Sequence, residues 1–168
     1  MNNQLTIDKE IIGWRMVLML SAASSMYFLP AASHALGFPL YLLEPMRFVI
    51  VISFLMLDTK GAYFLAATMP LFSFIVTGHP FFPKLIIITI ELVSFVFFYY
   101  HIRKRIATPF WAIITSMIVS KFLYYGLKYV LILALLLNSE LISTPLFIQS
   151  ITILGYSAIF LLPRFRNL

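Results

Sequence analysis

The stretch PKLIIITIELVSFVFFYYH, Pro83–His101, is dominated by aliphatic and aromatic residues. Apolar residues follow one another without the strict alternation of a half-buried strand, which favours a helix. The run is close to the ~20 apolar residues that a helix needs to cross the hydrocarbon layer of a membrane. One acid, Glu91, lies inside it. The stretch therefore predicts a membrane-spanning helix with a carboxylate in its interior.

Five further apolar runs share this character and bring the total to six. They are Ile11–Leu29, Leu40–Leu57, Gly61–Val76, Pro109–Leu137 and Pro145–Leu162. Six helices with short loops fit a chain of 168 residues, and no linker divides it. We therefore predict an all-α integral membrane protein, a single domain over residues 1–168 built as a bundle of six transmembrane helices.

The composition agrees with a membrane location. Hydrophobic residues make up 62% of the chain and charged residues 11%, and the mean hydropathy is +0.99. Soluble domains carry about 25% charged residues, so a soluble enzyme, a disordered tail and a nucleic-acid-binding module are excluded. Cysteine is absent, which removes disulfides and thiol chemistry.

Proline and glycine mark the helix boundaries. Thr108-Pro109 and Thr144-Pro145 each have the pattern of an N-cap residue followed by a proline in the first turn. The segment from Gly78 to Pro83 contains two prolines and cannot continue a helix. We expect a turn there.

The basic residues predict the orientation, since short cytoplasmic loops are enriched in Lys and Arg. With six spans and both termini cytoplasmic, only Lys84 falls in an outer loop. Eight basic residues then lie on the cytoplasmic side: Lys9, Arg15, Lys60, Arg103, Lys104, Arg105, Arg164 and Arg166. An alternative is that Met16–Leu29 with Ala31–Ala35 is a cleaved signal peptide. Asp8 and Glu10 cancel its positive start, which favours a retained helix.

Ionisable residues inside the runs are the candidates for a ligand site, because such groups are costly in a membrane and usually face a cavity or a partner. With the N-terminus inside, Arg47, Glu91, Lys121 and Lys128 all fall in the outer half of the bundle. We predict an Arg47–Glu91 ion pair. Another interpretation is that this pair is purely structural.

Lys121 and Lys128 are seven residues apart and share one helix face with nearby tyrosines. That face is predicted to form the wall of a polar pocket, with Tyr125 available to stack on a flat ligand, and His79 and Asn138 belong to the outer loops above it. Alternatively, Lys128 reaches outward to the membrane interface. The aromatic cluster Phe95, Phe97, Phe98, Tyr99 and Tyr100 is expected to face lipid or the membrane interface as an aromatic belt.

Motifs for catalysis are absent from the sequence, including G-x-S-x-G, H-E-x-x-H and a phosphate-binding loop. The three histidines are widely separated and are expected to be interfacial polar residues, not metal ligands. We predict a protein that is not an enzyme and carries no cofactor or metal. A lipid-directed enzyme would need a convergent nucleophile and base, which we cannot assemble from this sequence.

Residues Tyr41–Leu92 carry a set of short motifs in a defined order. Glu44-Pro45-Met46-Arg47 opens one helix, Pro70-Leu71 with Ser73-Phe74 follows, then Thr77-Gly78-His79-Pro80, and finally Glu91. This order resembles the substrate-binding S components of energy-coupling factor (ECF) vitamin transporters, in which Leu-Pro-Met-His, Pro-Leu-x-Ser and Thr-Gly-Met-Pro precede a helix with a glutamate. The resemblance covers about a third of the chain.

The resemblance implies a multi-pass protein of the bacterial plasma membrane that captures a vitamin or related micronutrient from outside. It implies docking on a membrane-embedded T component driven by two cytoplasmic ATPase subunits, and toppling in the bilayer to deliver the ligand. Docking in that family uses small residues, which let helices approach closely. The candidates here are Ser21, Ala22, Ser25, Ala62 and Ala66.

Three departures from the family pattern keep a second hypothesis open. Arg47 stands where the family has histidine, Glu44 where it has leucine, and Leu57–Gly61 replaces a Gly-Pro-rich turn. A ligand-free membrane scaffold or assembly protein derived from the same fold is therefore the alternative.

Overall fold

The computed structural model describes residues 35–78 and 80–162, together with residues 13, 16–18, 20, 21, 24, 28, 32 and 33. Every regular element in this part of the chain is helical. Most of the first predicted run, Ile11–Leu29, lies outside the described residues, as do His79 and the C-terminal residues 163–168.

Five α-helices follow a short 3₁₀ turn at Leu40–Leu43. They are α1 (Pro45–Met56), α2 (Thr59–Thr77), α3 (Phe82–Arg103), α4 (Pro109–Leu133) and α5 (Leu146–Ala158), the last extended by a 3₁₀ turn at Ile159–Leu161. Three of these, α2, α3 and α4, are long and apolar enough to cross a membrane. The prediction of an all-helical membrane protein agrees with this architecture, whereas six spans and cytoplasmic termini stay predictions.

The boundaries of α2, α3 and α4 follow the predicted runs closely at their starts. At Asp58, the side-chain Oδ1 accepts a hydrogen bond from the Gly61 N–H at 3.1 Å and caps α2. Gly78 ends α2 in the left-handed conformation, at φ 70°, which glycine adopts without a steric penalty. The predicted turn before α3 is thereby confirmed.

Three predicted boundaries need correction. α1 starts at Pro45 instead of Leu40, because a 3₁₀ turn at Leu40–Leu43 and the left-handed Glu44 precede it. α4 stops at Leu133 instead of reaching Leu137, and residues 134–145 form an irregular segment. α5 starts at Leu146 with Pro145 at its N-cap, so Thr144 is not the capping residue. The Thr144 carbonyl instead accepts a hydrogen bond from the Gln149 side chain at 2.7 Å. Thr108 does occupy the N-cap of α4, although without a side-chain capping bond.

The hydrophobic core lies where α1, α2, α3 and α4 pack together. Ile50, Leu65, Phe95, Ile113 and Met117 are buried there. Large apolar side chains such as Phe122, on the other side of α4, are exposed, as lipid-facing residues of a membrane bundle are.

The predicted lipid-facing aromatic cluster is wrong for two of its members. Phe95 and Tyr99 are buried, and the Tyr99 ring stacks on Phe54 with centroids 3.9 Å apart. Positions four apart share a helix face, so these two point inward together whereas Phe97 is exposed. In an all-apolar helix, composition alone does not reveal the inward face.

Candidate ligand-binding cavity

A half-open cavity of about 1090 Å³ lies at one end of the described bundle. Its size lies just above the range, roughly 300–1,000 Å³, that small-molecule sites usually occupy. It is lined by Ser33, Gly37, Phe38, Pro39, Tyr41, Glu44, Pro45, Met46, Arg47, Ser73, Thr77, Pro80, Phe81, Lys84, Ile88, Glu91, Leu92, Lys121, Tyr124, Tyr125, Ser143 and Thr144. The lining is apolar for the most part, with a few polar and charged groups converging on one space.

Residues from all the sequence motifs meet at this cavity. The start of α1 contributes Pro45, Met46 and Arg47, and the end of α2 contributes Ser73 and Thr77. The turn between α2 and α3 adds Pro80, and α3 adds Glu91. Residues separated by more than 40 positions in the sequence therefore face the same space.

Glu44 joins the 3₁₀ turn to α1 in an unusual backbone conformation. Its φ and ψ are 53° and 57°, in the left-handed region that residues other than glycine rarely occupy. The following residue is Pro45, which normally restricts its predecessor to extended conformations. Backbone strain of this kind costs about 1–3 kcal/mol and persists where the surrounding structure fixes it, often at functional sites.

The Glu44 carboxylate bridges two cations. Oε2 accepts a hydrogen bond from Arg47 Nη1 at 2.5 Å, and Oε1 pairs with the Lys121 ammonium of α4. The Glu44 side chain keeps 18% of its surface exposed, toward the cavity that it lines. Glu44 is one of two charged lining residues that the sequence did not identify as binding groups, although its charge next to an apolar run was visible.

The predicted Arg47–Glu91 ion pair is present. The second guanidinium nitrogen of Arg47, Nη2, contacts Glu91 Oε1, and the two side chains are only 5% and 7% exposed. Lys121, Glu44, Arg47 and Glu91 thus form one continuous chain of alternating charge, which we call the ionic network. Two cations and two carboxylates give it a formal charge of zero.

Tyrosines form one wall beside the ionic network. Tyr124 and Tyr125 follow Lys121 on α4, and both line the cavity. The Tyr125 hydroxyl accepts a hydrogen bond from Gln149 Nε2 of α5 at 2.6 Å, which holds the ring in place. The predicted aromatic face of a pocket is therefore present at Tyr125, whereas Tyr129 is 52% exposed and is not part of the lining.

Lys128 does not line the cavity, contrary to its predicted role in binding. Its side chain is fully buried, and the ammonium donates to the Leu141 carbonyl at 3.0 Å and to the Ser143 hydroxyl at 3.3 Å. It is not exposed at the surface of the described part of the chain. Since Ser143 and Thr144 line the cavity, Lys128 positions part of the wall from behind.

Lys84 is a lining cation that the sequence placed only in an outer loop. It lies in the first turn of α3, is half-buried and faces the cavity. Within the described part of the chain no carboxylate pairs with it. With the ionic network neutral, Lys84 gives the lining its net positive charge of one.

The remaining predicted residues lie elsewhere. Asn138 is exposed and does not line the cavity, and His79 lies outside the described residues. Ala62 and Ala66 are completely buried in the core, where their small side chains pack within the chain. Their role in docking stays a prediction. Ser21 is exposed, whereas Ala22 and Ser25 lie outside the described residues.

Acidic and histidine side chains do not converge on a common point in the part of the chain that the structure describes: no three of them form a possible metal site there. Four of the five charged lining residues pair with each other instead, in the ionic network. Chemically, the site offers hydroxyls, aromatic faces and paired charges, which suit reversible binding of a small molecule.

Comparisons with protein-family models, curated proteins and solved structures return no match.

Proposed function

We propose that this protein is the substrate-binding S component of an ECF-type importer in the bacterial plasma membrane. It binds a vitamin or related micronutrient in the cavity, and partner subunits drive uptake: a membrane-embedded T component and two cytoplasmic ATPases. The protein itself performs no catalysis. The observation that carries the proposal is that each motif on which the resemblance rests, from Glu44 to Glu91, contributes at least one residue to the lining of one cavity.

The character of the cavity supports a ring-containing ligand. Tyr124 and Tyr125 offer aromatic faces, and Ser73 and Thr77 add hydroxyl groups at the end of α2. Aromatic stacking combined with a few directed hydrogen bonds is the usual way to hold a small heterocycle. Three described helices are long and apolar enough to span a membrane, which supports a membrane location for this site.

Binding is tested on the purified protein in lipid nanodiscs. Native mass spectrometry should detect a bound small molecule, and a panel of water-soluble vitamins should contain one that raises the melting temperature at micromolar concentration. Tyr124→Leu should weaken that ligand by roughly three- to tenfold through loss of the ring contact. Tyr129→Leu is the matched control, because Tyr129 is exposed on the same helix and outside the lining.

Transport is tested by co-expression with a T component and its ATPases, with uptake of the labelled ligand as the measurement. Uptake should require ATP hydrolysis and all partner subunits. No bound molecule, no thermal shift and no uptake would contradict the proposal.

The alternative, a ligand-free membrane scaffold, is favoured by one observation. All four charges of the ionic network are paired within the chain, so they need no ligand. A scaffold predicts that Tyr124→Leu and Tyr129→Leu alter stability or partner association alike. A ligand affinity that falls only in Tyr124→Leu excludes it.

A further inference from the structure

The carboxylate of Glu44 occupies the place where an acidic ligand would meet the cations of the cavity. It faces the cavity, and its two oxygens engage Arg47 and Lys121 from one position. Two cations from α1 and α4 that converge on a carboxylate are the arrangement by which proteins recognise free carboxylates. Here the chain supplies that group itself.

A carboxylate fixed to the chain has a large advantage over a free one. Its effective concentration near the cations is in the millimolar range or above, as for any group held by a short tether. Micronutrients captured at micromolar concentration cannot displace it by mass action. The left-handed backbone at Glu44 directs the side chain back over α1, where it meets Arg47 three residues later.

We propose that Glu44 determines the charge specificity of the cavity. It keeps acidic groups away from the Arg47–Lys121 end, so the ligand presents an uncharged, hydrogen-bonding part there. An acidic substituent, in a ligand that has one, is met by Lys84, the lining cation without a carboxylate partner in the described part of the chain. This inference rests on the proposed function only in treating the cavity as a ligand site.

Removal of the Glu44 side chain should convert the site into a carboxylate receptor. Glu44→Gly is the informative variant because glycine adopts a φ of 53° freely, so the backbone path is retained while the carboxylate is lost. Benzoate is the probe and benzamide its uncharged isostere. We expect benzoate to bind Glu44→Gly roughly tenfold to a hundredfold more tightly than wild type, the range of a hydrogen bond to a charged group.

The readout is the melting temperature in nanodiscs, with affinity from the titration. Benzoate at ten times its Kd should raise the melting temperature of Glu44→Gly by roughly 4 °C. Benzamide should not do so, and the melting temperature of wild type should rise by about 1 °C or less at that benzoate concentration. Glu140→Gly is the matched control, since Glu140 is an exposed acid outside the cavity.

Two further variants keep the test decisive. Glu44→Ala replaces Glu44→Gly if the glycine variant does not fold, because alanine also vacates the space of the carboxylate, with the same expected preference for benzoate over benzamide. Adding Lys121→Met to Glu44→Gly should remove most of the benzoate response, because one of the two cations is lost. Equal responses in wild type and Glu44→Gly, or equal responses to benzoate and benzamide, overturn the inference.

The outcome is independent of the test of the proposed function. A benzoate response confined to the Glu44 variants, in a protein that binds no vitamin and supports no uptake, would retain the charge-specificity role and reject the transporter. Vitamin binding without that benzoate response would retain the transporter and reject the charge-specificity role.

Discussion

The helices α2, α3 and α4 each contribute to two different regions of the molecule. At the core end, Ala62, Phe95 and Met117 are buried among apolar side chains. At the cavity end, the same helices present Thr77, Glu91 and Lys121 to open space. The core end is held by close packing and the cavity end by ion pairs and hydrogen bonds.

The difference between the two regions has a functional meaning. Close packing tolerates little change in volume and fixes how the helices cross. The cavity end holds its charges in a neutral network that leaves room for a ligand. We therefore expect changes at the core end to cost stability alone, and changes at the cavity end to affect ligand affinity as well.

Arg47→Leu should have the largest effect, because Arg47 connects both carboxylates of the ionic network. Its loss leaves Glu91 buried without its partner, at a cost of about 3–5 kcal/mol in the free energy of unfolding. Denaturant titration in mixed micelles measures this. The double variant Arg47→Met with Glu91→Leu should recover most of the loss, since a buried pair is often replaceable by apolar residues. A double variant as unstable as the single one would show that the pair is not the cause.

Ala66→Leu tests the core end. A leucine has no space at a fully buried alanine, and overpacking should lower the free energy of unfolding by about 1–3 kcal/mol. Ligand affinity of the folded protein should be unchanged. Ser21→Leu, at an exposed position, is the control. Normal stability of Ala66→Leu combined with loss of T-component association would instead support the predicted docking role.

The sequence predicted the apolar elements better than the faces they present. The starts of α3 and α4 and the turn at Gly78 follow from run length, proline and glycine. The inward direction of Phe95 and Tyr99 does not, because polar residues that would mark the opposite face are scarce in these helices. Hydrophobic periodicity carries little information where lipid replaces water outside the bundle.

The candidate site was predicted in part for a related reason. Arg47 and Glu91 were recognisable as a pair because both are charged inside apolar runs and opposite charges must meet there. The bridging position of Glu44 depends on a left-handed backbone conformation, which no sequence pattern predicts at this residue. Lys128 pairs with a backbone carbonyl, and the path of residues 134–145 cannot be read from their composition.

Lys128→Met tests a residue that does not line the cavity but contacts the segment behind its wall. Loss of the ammonium removes a donor to the Leu141 carbonyl and the Ser143 hydroxyl, which should cost about 1–2 kcal/mol. Amide hydrogen exchange should accelerate over residues 134–145 and leave α2 unchanged. Lys60→Met, at an exposed lysine of α2, provides the comparison. Uniform acceleration across all helices would mean that Lys128 contributes only to global stability.

Thr77→Val should have the smallest effect and gives the sharpest comparison of a lining with a non-lining position. Thr77 and Thr68 lie on α2, and each hydroxyl donates to the carbonyl four residues earlier, at 2.8 and 2.7 Å. Only Thr77 lines the cavity.

Both valine variants should change the free energy of unfolding by less than about 0.5 kcal/mol. Ligand affinity should fall roughly two- to tenfold in Thr77→Val alone, the contribution of one neutral hydrogen bond. Equal affinities in the two variants would mean that the ligand does not reach the end of α2 and lies against α4 instead.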